Sequence, residues 1–100
     1  MSLSLEFMAE AAAEVDCVSG DYEARVTGLG FRFREEVEST CAAITQHPLL
    51  WRERAGGYRR VINLPGFPYY IAFVLRDERI FIVAVAHASR HPDQWKSRIP

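Results

Sequence analysis

The side chains best suited to chemistry lie in the second half of this 100-residue chain: Arg59, Arg60, His87, Arg90 and His91, with Trp95 close behind. An imidazole with an ordinary pKa near 6.5 exchanges protons at neutral pH, so His87 could serve as acid or base, whereas a histidine closing a strand can equally bond the next turn. Arg90 carries a planar fork that suits a phosphate, or it braces the tail against a carboxylate such as Asp93. Trp95 either stacks on a nucleic-acid base or lays its indole over a sheet to anchor the C-terminus, the second being the commoner use of a tryptophan. No metal is expected, since His47, His87 and His91 have no coherent ligand spacing with Cys, Asp or Glu. No cofactor is expected either: Gly28-Leu29-Gly30 lacks the rest of any phosphate-binding loop.

Composition limits what these residues can belong to. The chain is 49% apolar and 25% charged, within the range of globular domains. At this length one domain, residues 1–100, is expected. Cys17 and Cys41 have neither CxxC nor Cys/His spacing and read as buried small hydrophobes. The start MSLSLEF has no basic n-region followed by a long apolar stretch, and no apolar run is long enough to span a bilayer, so a cytoplasmic protein with no membrane partner is expected. Net charge is −1, yet residues 1–50 hold three basic residues against nine acids and residues 51–100 nine against four. Such a division creates local fields that the total hides.

The elements that must position these residues follow from periodicity. Leu3, Leu5 and Phe7 alternate with Ser2, Ser4 and Glu6, which predicts a short strand. Met8, Ala11, Ala12, Val15, Val18 and Tyr22 recur at helical steps, through Gly20. Gly28-Leu29-Gly30 breaks the chain, and a second helix is expected just after it, on the spacing of Phe33, Val37, Cys41 and Ile44, ending before Pro48. Two helices with so short a link form a hairpin. Strands are expected at Tyr58 to Leu64, Tyr69 to Leu75 and Ile80 to His87. The last two would be joined by Arg76-Asp77-Glu78-Arg79, a four-residue link suited to a type I turn. IFIVAVA is apolar on both faces and should lie centrally, with the helical hairpin on one side and other groups on the second. The fold class is therefore α+β, in the order β-α-α-β-β-β.

Two segments carry a family likeness. FPYYIAFVLRDERIFIVAVAHASRHPDQW resembles the C-terminal half of RelE/ParE toxins of type II toxin–antitoxin systems, the plasmid-stabilisation type. There an aromatic-Pro-Tyr start, two hairpin strands, an A-V-x-H turn and an R-x-P-x-x-W ending recur. GLGFRFREEVESTCAAITQHP is similar to the second helix of that family with its following His-Pro. The resemblance implies a two-helix hairpin packed on a curved antiparallel sheet. It also implies a cognate antitoxin that wraps the toxin with a segment flexible when free, in a homodimer or a toxin–antitoxin hetero-oligomer.

Within that family two activities compete. RelE-like members are ribosome-dependent mRNA endonucleases, whose partners are ribosome and mRNA, and ParE-like members inhibit growth by binding DNA gyrase. The nuclease pattern fits poorly: Tyr70 stands where the nucleases carry an Arg, Arg59 and Arg60 stand for paired lysines, and Trp95 falls near a terminal Tyr but has no phenol. A rearranged catalytic set would have to be Arg59, Arg60, His87 and Arg90, converging at one end of the sheet. Partner contacts are expected at Arg90, His91 and Trp95. With a sequence pI near 6.3 as well, the resemblance favours the gyrase-binding kind over the nuclease or a degenerate antitoxin-binding member.

Overall fold

A computed structural model describes residues 3–100; Ser2, the first polar position of the expected opening strand, lies outside them. Strand β1 (Ser4–Phe7) leads into helices α1 (Ala9–Arg25) and α2 (Leu29–Gln46). Strands β2 (Arg59–Val61), β3 (Tyr69–Arg76) and β4 (Arg79–His87) follow, and short 3-10 turns fill the tail. The sheet runs β1-β4-β3-β2. The three later strands are antiparallel, as expected, and β1 adds to them parallel to β4, with Leu5 opposite Ile80 and Phe7 opposite Ile82. The sheet is thus mixed.

The period-2 pattern of β3 and β4 is read out on two faces. Ile71, Phe73, Ile80, Ile82 and Val85 meet Ala11 and Val15 of α1 and Phe33, Val37, Cys41 and Ile44 of α2 in the larger core. Tyr70, Ala72, Val74, Val83, Ala84 and Ala86 point to the other side, where Tyr58 and Trp95 cover them. A bulge at Ala72/Phe73 shifts the pairing with β4, so Val83 and Ala84 share this second face. Burial on both faces explains why IFIVAVA is continuously apolar, since fully burying an Ile or Val side chain contributes about 1.5–3 kcal/mol.

Four local expectations need correction. The β3–β4 link is not a type I turn: Arg76 pairs with Arg79, leaving a two-residue connection in which Asp77 (φ 50) and Glu78 (φ 64) are both left-handed. That is the primed geometry, whose twist matches the flanking strands. The strand expected over Tyr58 to Leu64 survives as Arg59–Val61. Tyr58 bridges back to Arg54, and the Leu64–Phe67 turn, with Gly66 at φ 80, pulls the chain off the ladder. Helix α2 starts before Gly30, not after it, with Gly28 (φ 89) at its cap. A Cβ on Gly30 would lie 2.3 Å from the Ser19 carbonyl oxygen, so this glycine allows α1 and α2 to touch. Finally, Cys41 is buried but Cys17 is exposed.

Candidate functional site

The sheet divides the basic residues that the sequence put together. Arg59 lies opposite Phe73 and Arg60 opposite Ala72, so alternation sends Arg59 to the helix side and Arg60 to the tail side. The Arg59 Nη1 donates to the Trp51 carbonyl at 2.6 Å, holding the loop before β2. His87 lies opposite Tyr69 on the helix side, its ring edge-on to that tyrosine at 5.4 Å. Its Nδ1 accepts from the Ser89 backbone N–H at 3.1 Å and contacts the Ser89 hydroxyl at 2.8 Å, so His87 bonds the turn that ends β4. Arg59 and His87 of the rearranged catalytic set thus lie on the helix side of the sheet and Arg60 on the tail side.

Arg90 and the tail are organised by a residue that sequence reasoning did not select, Glu14 of α1. Because β1 stops at Phe7, the last bond of its ladder is Met8 N–H to the Ile82 carbonyl, and among the described residues the edge of β4 beyond it has no strand neighbour. Glu14 takes that place: its Oε1 accepts from the Val85 N–H at 3.0 Å. The same carboxylate accepts from Arg90 Nη1 at 2.7 Å and from both terminal nitrogens of Arg98 at 3.0 and 3.1 Å. Arg98 in turn donates to the Val83 carbonyl at 3.2 Å. The side chains of Glu14 and Arg98 are each 15% exposed, so these are partly desolvated, charge-assisted bonds. Arg90 thus braces the tail, but against Glu14 and, through Nε, Gln94 at 2.7 Å, and not against Asp93. Asp93 pairs instead with Lys96. His91 is exposed and accepts from the Asp93 N–H at 3.1 Å, capping a 3-10 turn.

Trp95 is fully buried. Its indole N–H donates to the Tyr70 hydroxyl at 2.7 Å, and that hydroxyl donates to the Arg90 carbonyl at 2.9 Å. Its ring meets Tyr58 edge-on at 4.9 Å. A side chain with no exposed surface cannot contact a partner, so Trp95 is removed from the expected partner surface and stands as the anchor of the tail. Tyr70, at the position where a nuclease arginine was sought, is consumed by the same network.

Arg60 stands apart. Its guanidinium carbon lies 4.1 Å from the centre of the Tyr70 ring, and its Nε is buried without an acceptor among the described residues. Arg60 lines an open cleft of about 290 Å³ with Leu50, Trp51, Arg52, Arg54 and Ile62, at the outer edge of β2. Among the described residues none of Arg52, Arg54, Arg59 and Arg60 forms an ion pair, whereas Arg34, Arg79, Arg90, Lys96 and Arg98 each do. Sequence reading found Arg59 and Arg60 but overlooked Arg52 and Arg54; the signal was four arginines within nine residues.

Among the described residues no three His, Cys, Asp or Glu side chains gather as metal ligands, and no helix is long and apolar enough to cross a membrane. No curated protein sequence matches this one significantly. Of solved structures, a chain described as "Chromosomal ParDE TA system from P. aeruginosa" superposes with a TM-score of 0.74 over 88% of this chain and 98% of its own, at 18% identity. That likeness is one of fold: two helices on a mixed four-stranded sheet. The family model for the "ParE toxin of type II toxin-antitoxin system, parDE" matches residues 5–92, and the chain belongs to that family.

Proposed function

We propose that this protein arrests growth in the cytoplasm by binding DNA gyrase, without cleaving RNA, and that a cognate antitoxin neutralises it. The observation that carries the reading is the division of the basic residues. RNA cleavage needs a proton acceptor, cations for the phosphate and a proton donor within reach of one phosphodiester. Here Arg59 and His87 sit on the opposite face of the sheet from Arg60, and Arg90 is held by Glu14. A protein with surfaces to offer and no assembled catalytic set acts by occupying its target. Exposed apolar side chains, Val26 and Phe31 at the tip of the helical hairpin and Leu49 and Leu50 at its base, give a wrapping antitoxin segment apolar ground to bury.

The test is a supercoiling assay with purified gyrase. Inhibition at micromolar toxin, relieved by the protein encoded beside it, is the expected result. Unimpaired supercoiling together with cleavage of mRNA in the ribosomal A site, lost in Arg90→Ala, would assign the nuclease activity instead.

A further inference from the structure

The cleft at the outer edge of β2 holds a charge that the protein leaves uncompensated. Residues 50–62 contain four arginines and a single acid, Glu53, which does not line the cleft. Arg59 is spent on the Trp51 carbonyl, leaving Arg52, Arg54 and Arg60 around the opening. Arg60 is the informative member. Stacked on Tyr70, with a buried Nε that meets no acceptor, it is a partly desolvated cation without a counter-charge. Desolvating a cation is unfavourable unless an anion restores what water supplied, and a fixed, desolvated cation attracts that anion more strongly than a solvated one. Two other partly buried arginines, Arg90 and Arg98, receive their anion from Glu14. Among the described residues Arg60 receives none.

We propose that the Arg52–Arg54–Arg60 cleft binds the phosphodiester backbone of a nucleic acid. All three cations are arginine, whose planar fork matches phosphate oxygens better than an ammonium does. The cleft is open along the sheet edge, so it suits a chain passing over it and not an enclosed small molecule. Three separate guanidiniums exceed what one carboxylate needs but fit successive phosphates along a strand. Leu50 and Ile62, 73% and 55% exposed, form an apolar rim against which sugars can pack. The cleft itself is lined by three arginines and no acid, a concentration of positive charge that a net charge of −1 hides. The inference does not depend on gyrase being the target.

The test uses purified full-length protein and fluorescence anisotropy with three labelled probes of equal length: duplex DNA, single-stranded DNA and RNA. Binding should tighten as salt falls, with log K against log salt sloping at about −2.7 on duplex DNA if three phosphates are engaged, at roughly −0.9 for each. Arg52→Gln/Arg54→Gln should flatten that slope by about 1.8, and Arg60→Gln by about 0.9. Arg25→Gln/Arg32→Gln, the same charge change at the far end of the helical hairpin, should leave it unchanged. Arg52 and Arg54 make no side-chain hydrogen bond or ion pair among the described residues, so the double variant should fold even if Arg60→Gln does not. The order of the three probes identifies which nucleic acid the cleft prefers. No binding at the lowest salt, equal loss in the hairpin variant, or displacement of every probe by an Asp/Glu-rich peptide of equal charge would overturn the proposal, the last by assigning the cleft to an acidic protein segment. A wild-type protein that inhibits gyrase but binds none of the probes would overturn this proposal alone; one that binds the probes through the cleft but leaves gyrase unimpaired would overturn only the gyrase reading.

Discussion

Cys41 and Cys17 share a side chain and little else. Cys41 sits in the helix–sheet core, and burial, reinforced by the charge of Glu38, pushes its thiol up from 9.0 to about 11. The folded protein therefore keeps a proton that the unfolded chain gives up above pH 9. Stability should be unaffected by this group at neutral pH and fall as pH rises from about 9 to 11, by at most about 2.7 kcal/mol at 1.36 per unit. A thiol reagent at neutral pH should label Cys17 at once and Cys41 only on unfolding; two fast thiols in the native protein would refute the assignment. Cys41 is legible from its helical spacing with Phe33, Val37 and Ile44. Cys17 is not, because its own helix has apolar neighbours on more than one side, and only tertiary contact shows which side is covered. The same limit hides the partner of Arg90. Glu14 is 76 residues away, and no local pattern distinguishes it from the other glutamates of α1.

At the scale of elements, the two glycines of the helical hairpin make opposite predictions. Gly30 meets the Ser19 backbone at a distance no Cβ can occupy, whereas Gly20 has open space around it. Alanine gains about 1 kcal/mol over glycine in a helix interior, and nothing opposes that gain at position 20. At position 30 the helices must separate, which reverses the sign. Gly20→Ala should stabilise the protein by up to about 1 kcal/mol and Gly30→Ala should destabilise it by about 1–3 kcal/mol, measured by urea denaturation. If both alanines stabilise, the helices do not touch at Gly30. Helical and strand periods identify α1, α2, β3 and β4 because each repeats over several turns or pleats. The parallel seat of β1, the short run of β2 and the primed turn at Asp77-Glu78 escape such reading. The first two depend on which strand lies alongside, and the third uses residues other than the Asn-Gly or Asp-Gly that usually mark that turn.

For the molecule as a whole, the decisive feature is that one side of the sheet is roofed by helices and the other by a tail of thirteen residues, 88–100, with very little regular structure of its own. Such a tail stays down only if something ties it. Trp95 supplies apolar area against Tyr58 and Tyr70. Glu14 supplies the charge that Arg90 and Arg98 need, while closing the β4 edge at Val85. Glu14→Ala would strand two partly buried guanidiniums and orphan the Val85 N–H. Breaking a buried pair costs about 3–5 kcal/mol, and partial exposure of Arg90 lowers the expected loss to about 2–3. The effect should be regional before it is global. Hydrogen exchange at the Val85 amide and through residues 90–99 should accelerate, and Trp95 fluorescence should shift to the red in a Trp51→Phe background, while the amides of α2 keep their protection. A Glu14→Ala protein with wild-type stability and a protected Val85 amide would show that burial of Trp95 alone holds the tail. Uniform acceleration of exchange across α2 and the tail would show instead that the two faces of the sheet open as one unit.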